Sequence, residues 1–200
     1  NWYLGETLIT GIGQGYIQST PLQLTLMTAQ LANGGNKIYP TLVPNNKNLD
    51  QIKREMNANE DYDLPTSHPP LVRNKENVKF VLDAMFKSTN EVYGTSYSSR
   101  IEDPKYQFAG KTGTAQVKRI TEAERELDRK LEQIPYKERD HAWYIAFGPY
   151  KNPRYAMTVL VEHGGSGSTA AAPIAKKLFK KIIDRHEERE RIRNSKILTS

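Results

Sequence analysis

The stretch Tyr106-Gln107-Phe108-Ala109-Gly110-Lys111-Thr112-Gly113-Thr114-Ala115-Gln116 decides how this chain reads. Its aromatic and β-branched residues, followed by Val117 before the charges begin, predict a strand. Lys111 stands two positions before Gly113, and the hydroxyls of Thr112 and Thr114 flank that glycine. A glycine inside a strand weakens it and often marks a place where another backbone comes close. Such an edge offers a cation, two hydroxyls and unpaired N–H groups, which suit an anionic, peptide-like ligand. Lys-Thr-Gly alone recurs by chance. The longer Lys-Thr-Gly-Thr-Ala-Gln behind an apolar lead-in is far more specific.

Downstream, Thr121 and Glu124 form a capping box for a charged helix with a thin stripe of Ala123, Leu127, Leu131 and Ile134, ended by Pro135. So polar a helix, at 120–140, is expected to be an insertion on a loop. His141 to Phe147 is a nearly continuous apolar run, expected to be a strand buried on both faces. Tyr150 to Arg154 is a turn, and Tyr155 to Glu162 returns as the second strand of a hairpin. After the flexible Gly164-Gly165-Ser166-Gly167-Ser168, Thr169 is expected to cap a last helix, with Pro173 in its first turn. Ile174, Leu178, Phe179, Ile182 and Ile183 form its apolar stripe, and residues 186–200 read as a charged tail.

Upstream, Asn74 caps the clearest periodic segment, with Val78, Val81, Leu82, Met85 and Phe86 on one face to about Ser88. Residues 44–73 read as a loop-rich insertion. Asp61, Asp63 and His68 within it match no standard metal spacing, so no metal is expected. Lys37 to Val43 is expected as a short strand, confined to an edge by Pro40. Before it, Thr20, Pro21 and Gln23 open a helix with a stripe of Leu24, Met27, Thr28 and Leu31, stopped by Asn33-Gly34-Gly35. Gly5, Gly11, Gly13 and Gly15 punctuate what reads as a loop-rich opening. No strand precedes them and no Gly-Lys-Ser/Thr follows, so turn glycines are favoured over a nucleotide cradle. Helices on both faces of an antiparallel sheet make an α/β or α+β architecture.

The 200 residues, 26% charged and 37% hydrophobic, have a globular profile. No window approaches the roughly 18–20 apolar residues of a membrane span. The net charge of +6 gathers in the C-terminal helix and tail, away from any aromatic-rich face, so no nucleic-acid partner is expected. With no cysteine, the chain carries neither disulfide nor thiolate chemistry, which fits a periplasmic setting. It opens at Asn1-Trp2-Tyr3 without a methionine, and is expected to be a piece of a longer protein.

Taken together, Gly5-Glu6-Thr7, Ile12-Gly13-Gln14-Gly15, Thr20-Pro21-Leu22-Gln23, Leu31-Ala32-Asn33-Gly34-Gly35, Ala109 to Gln116, Asp140-His141-Ala142-Trp143 and Ala170-Ala171-Ala172-Pro173 resemble the class B penicillin-binding proteins, motif by motif and in the same order. The resemblance implies the penicillin-binding/β-lactamase-like transpeptidase fold, with residues 1–185 as the C-terminal half of the domain. It implies a peptidoglycan D,D-transpeptidase of cell-wall elongation and rod shape, anchored in the inner membrane with its catalytic domain in the periplasm. Its partners would be the D-Ala-D-Ala stem peptide with an amine acceptor, β-lactams, and a membrane glycosyltransferase, with no cofactor.

The family carries Ser-x-x-Lys, Ser-x-Asn and Lys-Thr-Gly. No serine here is followed three positions on by lysine, and Ser88-Thr89-Asn90 reads as a chance match. The nucleophile is therefore expected upstream, and this chain alone is expected to be inactive and unstable as a monomer. By resemblance, Lys111 is catalytic and Thr112, Gly113 and Thr114 bind substrate. A D,D-carboxypeptidase or serine β-lactamase, and a penicillin-binding sensor module, are the alternatives; Gly-Gln-Gly and Leu-Ala-Asn-Gly-Gly speak for the transpeptidases.

Overall fold

The computed structural model describes residues 2–13, 15–38, 40, 71–118 and 129–198. Three antiparallel strands form one sheet in the order β1 (Ala109–Ala115), β2 (His141–Gly148), β3 (Tyr155–Val161). Lys111 lies opposite Ile145 and Gly113 opposite Trp143, while Trp143 in turn faces Leu160. The apolar run of β2 makes it the central strand, and its alternate residues serve two cores. Ala142, Tyr144 and Ala146 meet Phe108, Ala172, Ala175 and Phe179, whereas Phe147 meets Met85 and Ala109.

Helix α2 (Pro21–Ala32) starts as its capping box requires. The Thr20 hydroxyl accepts from the Gln23 N–H at 3.2 Å, and the Gln23 side chain accepts from the Thr20 N–H at 2.8 Å. Its buried face differs from the apolar stripe. Met27 is exposed and Thr28 is fully buried, its hydroxyl donating to the Leu24 carbonyl at 2.7 Å, while Thr25 donates to the Thr158 hydroxyl of β3 at 2.9 Å. A threonine that satisfies itself on its own helix can be buried like a valine.

Helix α3 (Lys75–Asn90) runs two residues past the expected Ser88. It buries Val78 and Met85 and leaves Val81 about 39% exposed. The last helix, α4 (Ala172–Leu198), continues through the expected tail. A π-helical turn, Gly167–Ala171, precedes it, so Thr169 lies inside that turn and is no cap. The face laid on the sheet is Ala172, Ala175, Phe179 and Ile183; Ile174 and Leu178 remain about 40% exposed. Alanines bring the helix close enough for Phe179 to stack on Phe108, centroids 5.0 Å apart.

Three further expectations change. The opening is a helix, α1 (Leu4–Gly11), held by the Glu6 carboxylate accepting from the Tyr3 N–H and by the Trp2 indole donating to Thr7 at 2.8 Å. Only Gly13 and Gly15 behave as turn glycines, with φ of 79° and 86°. Lys37, Ile38 and Pro40 are not in a strand, and the rest of that segment lies outside the described residues. No helix leads into Pro135 among the described residues: Lys130 is extended, and short 3-10 turns follow at Leu131–Gln133 and Tyr136–Glu138. Thr121 and Glu124, like Asp61, Asp63 and His68, lie outside the described residues. Among the described residues, no helix is long and apolar enough to cross a membrane, and no three His, Asp or Glu side chains gather as a metal site.

Candidate active site

β1 is an edge strand whose outward backbone groups can be read from their partners. The Asn90 side chain donates to the Phe108 carbonyl at 2.9 Å, Thr89 to the Gly110 carbonyl at 3.4 Å, and the Lys111 ammonium to the Thr112 carbonyl at 2.8 Å. In an antiparallel strand the N–H and C=O of one residue point the same way, and the direction alternates. Gly110, Thr112 and Thr114 therefore turn their N–H and C=O away from β2, while Lys111 and Gly113 bond to it. The end of α3 covers the outer edge at Phe108 and Gly110. Beyond it, Thr114 and the Lys111 side chain are exposed and Thr112 is half-buried.

A buried hydroxyl cluster holds the covered half in place. The Tyr144 hydroxyl lies 2.9 Å from Thr89 and 3.1 Å from Ser96, and Ser96 also donates to the Ser88 carbonyl at 3.0 Å. Burial pushes the Tyr144 phenol above its ordinary pKa against the opposing effect of the two hydroxyls, so it stays protonated. This ring explains Gly110. A side chain there would overlap the Tyr144 ring and hydroxyl. Within Ser88-Thr89-Asn90, Thr89 and Asn90 thus tie α3 to β1.

Gly113 is less crowded. An added Cβ would meet only the Trp143 Cβ, at 3.3 Å. The backbone that comes close to this glycine is that of Gly167, which passes over the sheet, where a Cβ would overlap the Trp143 carbonyl and lie 2.9 Å from that of Gly113. Nothing in the run Gly164 to Ser168 distinguishes Gly167 as the glycine crowded by the backbone of the sheet, so only the packed chain identifies it.

The far end of the site is pinned by two histidines. The His163 N–H donates to His141 Nδ1 at 2.9 Å, and His163 Nδ1 donates to the Arg139 carbonyl at 2.9 Å. An Nδ1 that accepts is unprotonated, so His141 carries its proton on Nε2. His163 holds a left-handed φ of 56°, and the Gly165 N–H reaches the Asp140 carbonyl at 2.8 Å. The Asp140 carboxylate accepts from the Val117 N–H at 3.2 Å, tying the chain just beyond β1 to the start of β2.

Lys111, Thr112, Gly113 and Thr114 therefore share one strand edge that the described residues leave uncovered. The sequence missed Thr95 beside it, whose hydroxyl lies 3.3 Å from that of Thr112. Its signal would have been the Gly94-Thr95-Ser96 turn directly after a helix.

The penicillin binding protein transpeptidase domain matches residues 1–183 of this chain. The chain belongs to that family. It is 34% identical over 185 residues to the peptidoglycan D,D-transpeptidase MrdA of Salmonella typhimurium, covering 92% of this chain and 28% of that protein. The Haemophilus influenzae MrdA is 36% identical over 182 residues, covering 89% and 26%. Among solved structures, Pseudomonas aeruginosa PBP2 in complex with WCK 5153 superposes with a TM-score of 0.64 at 35% identity, over 90% of this chain and 34% of that one. Helicobacter pylori PBP2 in its complex with MreC gives 0.65 at 31% identity, over 92% and 28%. The chain thus spans about a quarter to a third of these relatives, and its α+β architecture is that of the transpeptidase domain.

Proposed function

We propose that this chain supplies the Lys-Thr-Gly wall of a peptidoglycan D,D-transpeptidase site, with the nucleophilic serine and the Ser-x-Asn contributed by polypeptide outside it. The observation that carries the reading is the edge at Thr112 and Thr114, uncovered among the described residues, with the Lys111 ammonium 2.8 Å from the Thr112 carbonyl. An extended donor peptide ending in D-Ala-D-Ala lies along that edge as an added strand. The serine oxygen attacks the carbonyl of the penultimate D-Ala, the amide bond breaks, and the terminal D-Ala leaves with a proton on its nitrogen. An amine of a second stem peptide then attacks the acyl-serine ester, forming the cross-link and returning the proton to the serine.

Each step passes through a tetrahedral oxyanion, which needs donors aimed at it before the reaction starts. The outward Thr114 N–H is one such donor. Lys111 and the hydroxyls of Thr112 and Thr114 hold the terminal carboxylate, and Gly113 leaves room for the donor backbone. No cofactor enters this chemistry. A β-lactam, which presents a strained amide beside a carboxylate, enters as a substrate mimic and stays as the acyl-enzyme.

The physiological setting is cell-wall elongation, with the site on the periplasmic side of the inner membrane and a membrane glycosyltransferase as partner; the MrdA relatives and the PBP2–MreC complex support this reading. The test is incubation of the full-length protein with a fluorescent penicillin and with a stem pentapeptide plus amine acceptor. A covalent adduct and a cross-linked product are expected. Release of D-Ala without cross-linked product would make it a carboxypeptidase, and no adduct would overturn acyl-serine chemistry altogether.

A further inference from the structure

We propose that Thr95 is a positioning residue for this edge: its hydroxyl, backed by Ser88, turns the proton of Thr112 outward onto the anionic group of the ligand. The inference rests on the transpeptidase reading above. Three hydroxyls stand in line, Ser88 3.2 Å from Thr95 and Thr95 3.3 Å from Thr112, and the Lys111 ammonium lies 3.3 Å from the Thr112 oxygen.

The direction of the chain follows from counting protons. A hydroxyl has one proton to give and two lone pairs to receive. The Lys111 ammonium can only donate, so it takes one lone pair of Thr112. If Thr112 gave its proton to Thr95, it would meet a carboxylate with a lone pair and repel it. If Thr95 donates instead, both lone pairs of Thr112 are filled, and its remaining proton faces the open edge. Ser88 can donate to Thr95 in the same sense. A bound carboxylate accepts only, so it polarises the whole line toward itself.

The turn that presents Thr95 is held on both sides. The Gly94 N–H donates to the Glu91 carbonyl at 2.8 Å, and a side chain at Gly94 would overlap the carbonyls of Lys87 and Ser88. The Ser96 N–H donates to the Ser88 carbonyl at 3.0 Å, and its side chain is fully buried against Tyr144. Thr95 itself is exposed. Its hydroxyl is therefore fixed in direction by its neighbours while contributing little to the core, which allows its effect on ligand binding to be separated from folding.

The test is the second-order rate of acylation of the full-length protein by a penicillin, with melting temperature measured alongside. Thr95→Val is expected to slow acylation about 5- to 30-fold, the loss of one hydrogen bond in a charge-assisted line, with Thr95→Ser close to wild type. In a Thr112→Val background, Thr95→Val should have no further effect, because the proton it orients is gone. A structural role would add its loss in both backgrounds and lower the melting temperature. Wild-type acylation by Thr95→Val, or an equal loss with and without Thr112, overturns the inference. Should the valine variant fail to fold, Thr95→Ala is read in the same way. A wild-type protein that forms no adduct overturns the transpeptidase reading, and this inference with it; the wild-type arm thus separates the two failures.

Discussion

The two halves of the β1 outer edge differ more than their sequences do. Both carry a glycine, at 110 and 113, and both turn alternate backbone groups away from β2. At Phe108 and Gly110 those groups are taken by Asn90 and Thr89 at the end of α3, and Tyr144 fills the space under the glycine. At Thr112 and Thr114 no described helix lies alongside, and the Lys111 ammonium takes the Thr112 carbonyl. An exposed strand edge invites pairing by another chain. Here the described residues close the half at Phe108 and Gly110 and leave open the half at Thr112 and Thr114, where the proposed function places a peptide ligand.

The largest expected effect falls on the open half. Lys111→Ala in the full-length protein should slow penicillin acylation by about 1,000-fold, since it removes the charge beside the developing oxyanion and the ligand carboxylate. Its exposed side chain leaves the melting temperature nearly unchanged, and undiminished labelling of the folded variant would break the comparison.

Next comes the covered half. Gly110→Ala should cost about 3 kcal/mol of stability, because its methyl must displace the Tyr144 ring from a packed core. Chemical denaturation measures this directly. Gly113→Val should keep a cooperative melt and lose acylation instead, since only Trp143 has to yield there. If Gly113→Val were the variant that unfolded, both halves would be packing sites.

Smaller still, Thr112→Val or Thr114→Val should slow acylation about 10- to 100-fold each, the loss of one hydrogen bond to a charged group. Rates read against carboxylate-esterified penicillin would sharpen this, since the difference between variant and wild type should shrink there.

The smallest effect lies far from the edge. Asp184 on α4 accepts from the Tyr106 phenol and pairs with Lys105 at 3.2 Å. The phenol first, and Lys105 after it, hold its carboxyl below the ordinary carboxylate range. A depressed folded pKa stabilises above the unfolded value, and that contribution disappears as pH falls through the folded one. Asp184→Asn should therefore flatten the acid limb of the stability profile slightly and leave neutral acylation alone, and thermal melts across acidic pH check it. The side chain is exposed, so added salt should shrink the difference further.

Much of this was legible in local sequence. The β2–β3 hairpin, the Thr20 capping box and the Lys-Thr-Gly strand depend on residues close together in the chain, and each is found where periodicity and capping rules put it. Misreadings came where a residue type has two uses. Gly5 and Gly11 were read as loop, although Leu4, Glu6 and Leu8 make a helix around them with open space beside both glycines. Thr28, the one polar member of its stripe, is fully buried, whereas Met27 faces outward. Ile174 and Leu178 outrank alanine in hydrophobicity, yet Ala172 and Ala175 take the sheet face because a small side chain lets α4 approach.

By itself, the sequence determined the chemical equipment: a lysine, two threonine hydroxyls and a glycine in a strand, where side-chain alternation and backbone polarity follow from local geometry. Only the tertiary structure decided which part of that strand is available. That depended on Thr89 and Asn90 at the end of α3, on the Tyr144 ring beneath Gly110, and on Gly167 pressing against Gly113. These contacts join residues at least 18 positions apart. Their pairing is selected by the fit of buried side chains in three dimensions, which no local period in the sequence encodes.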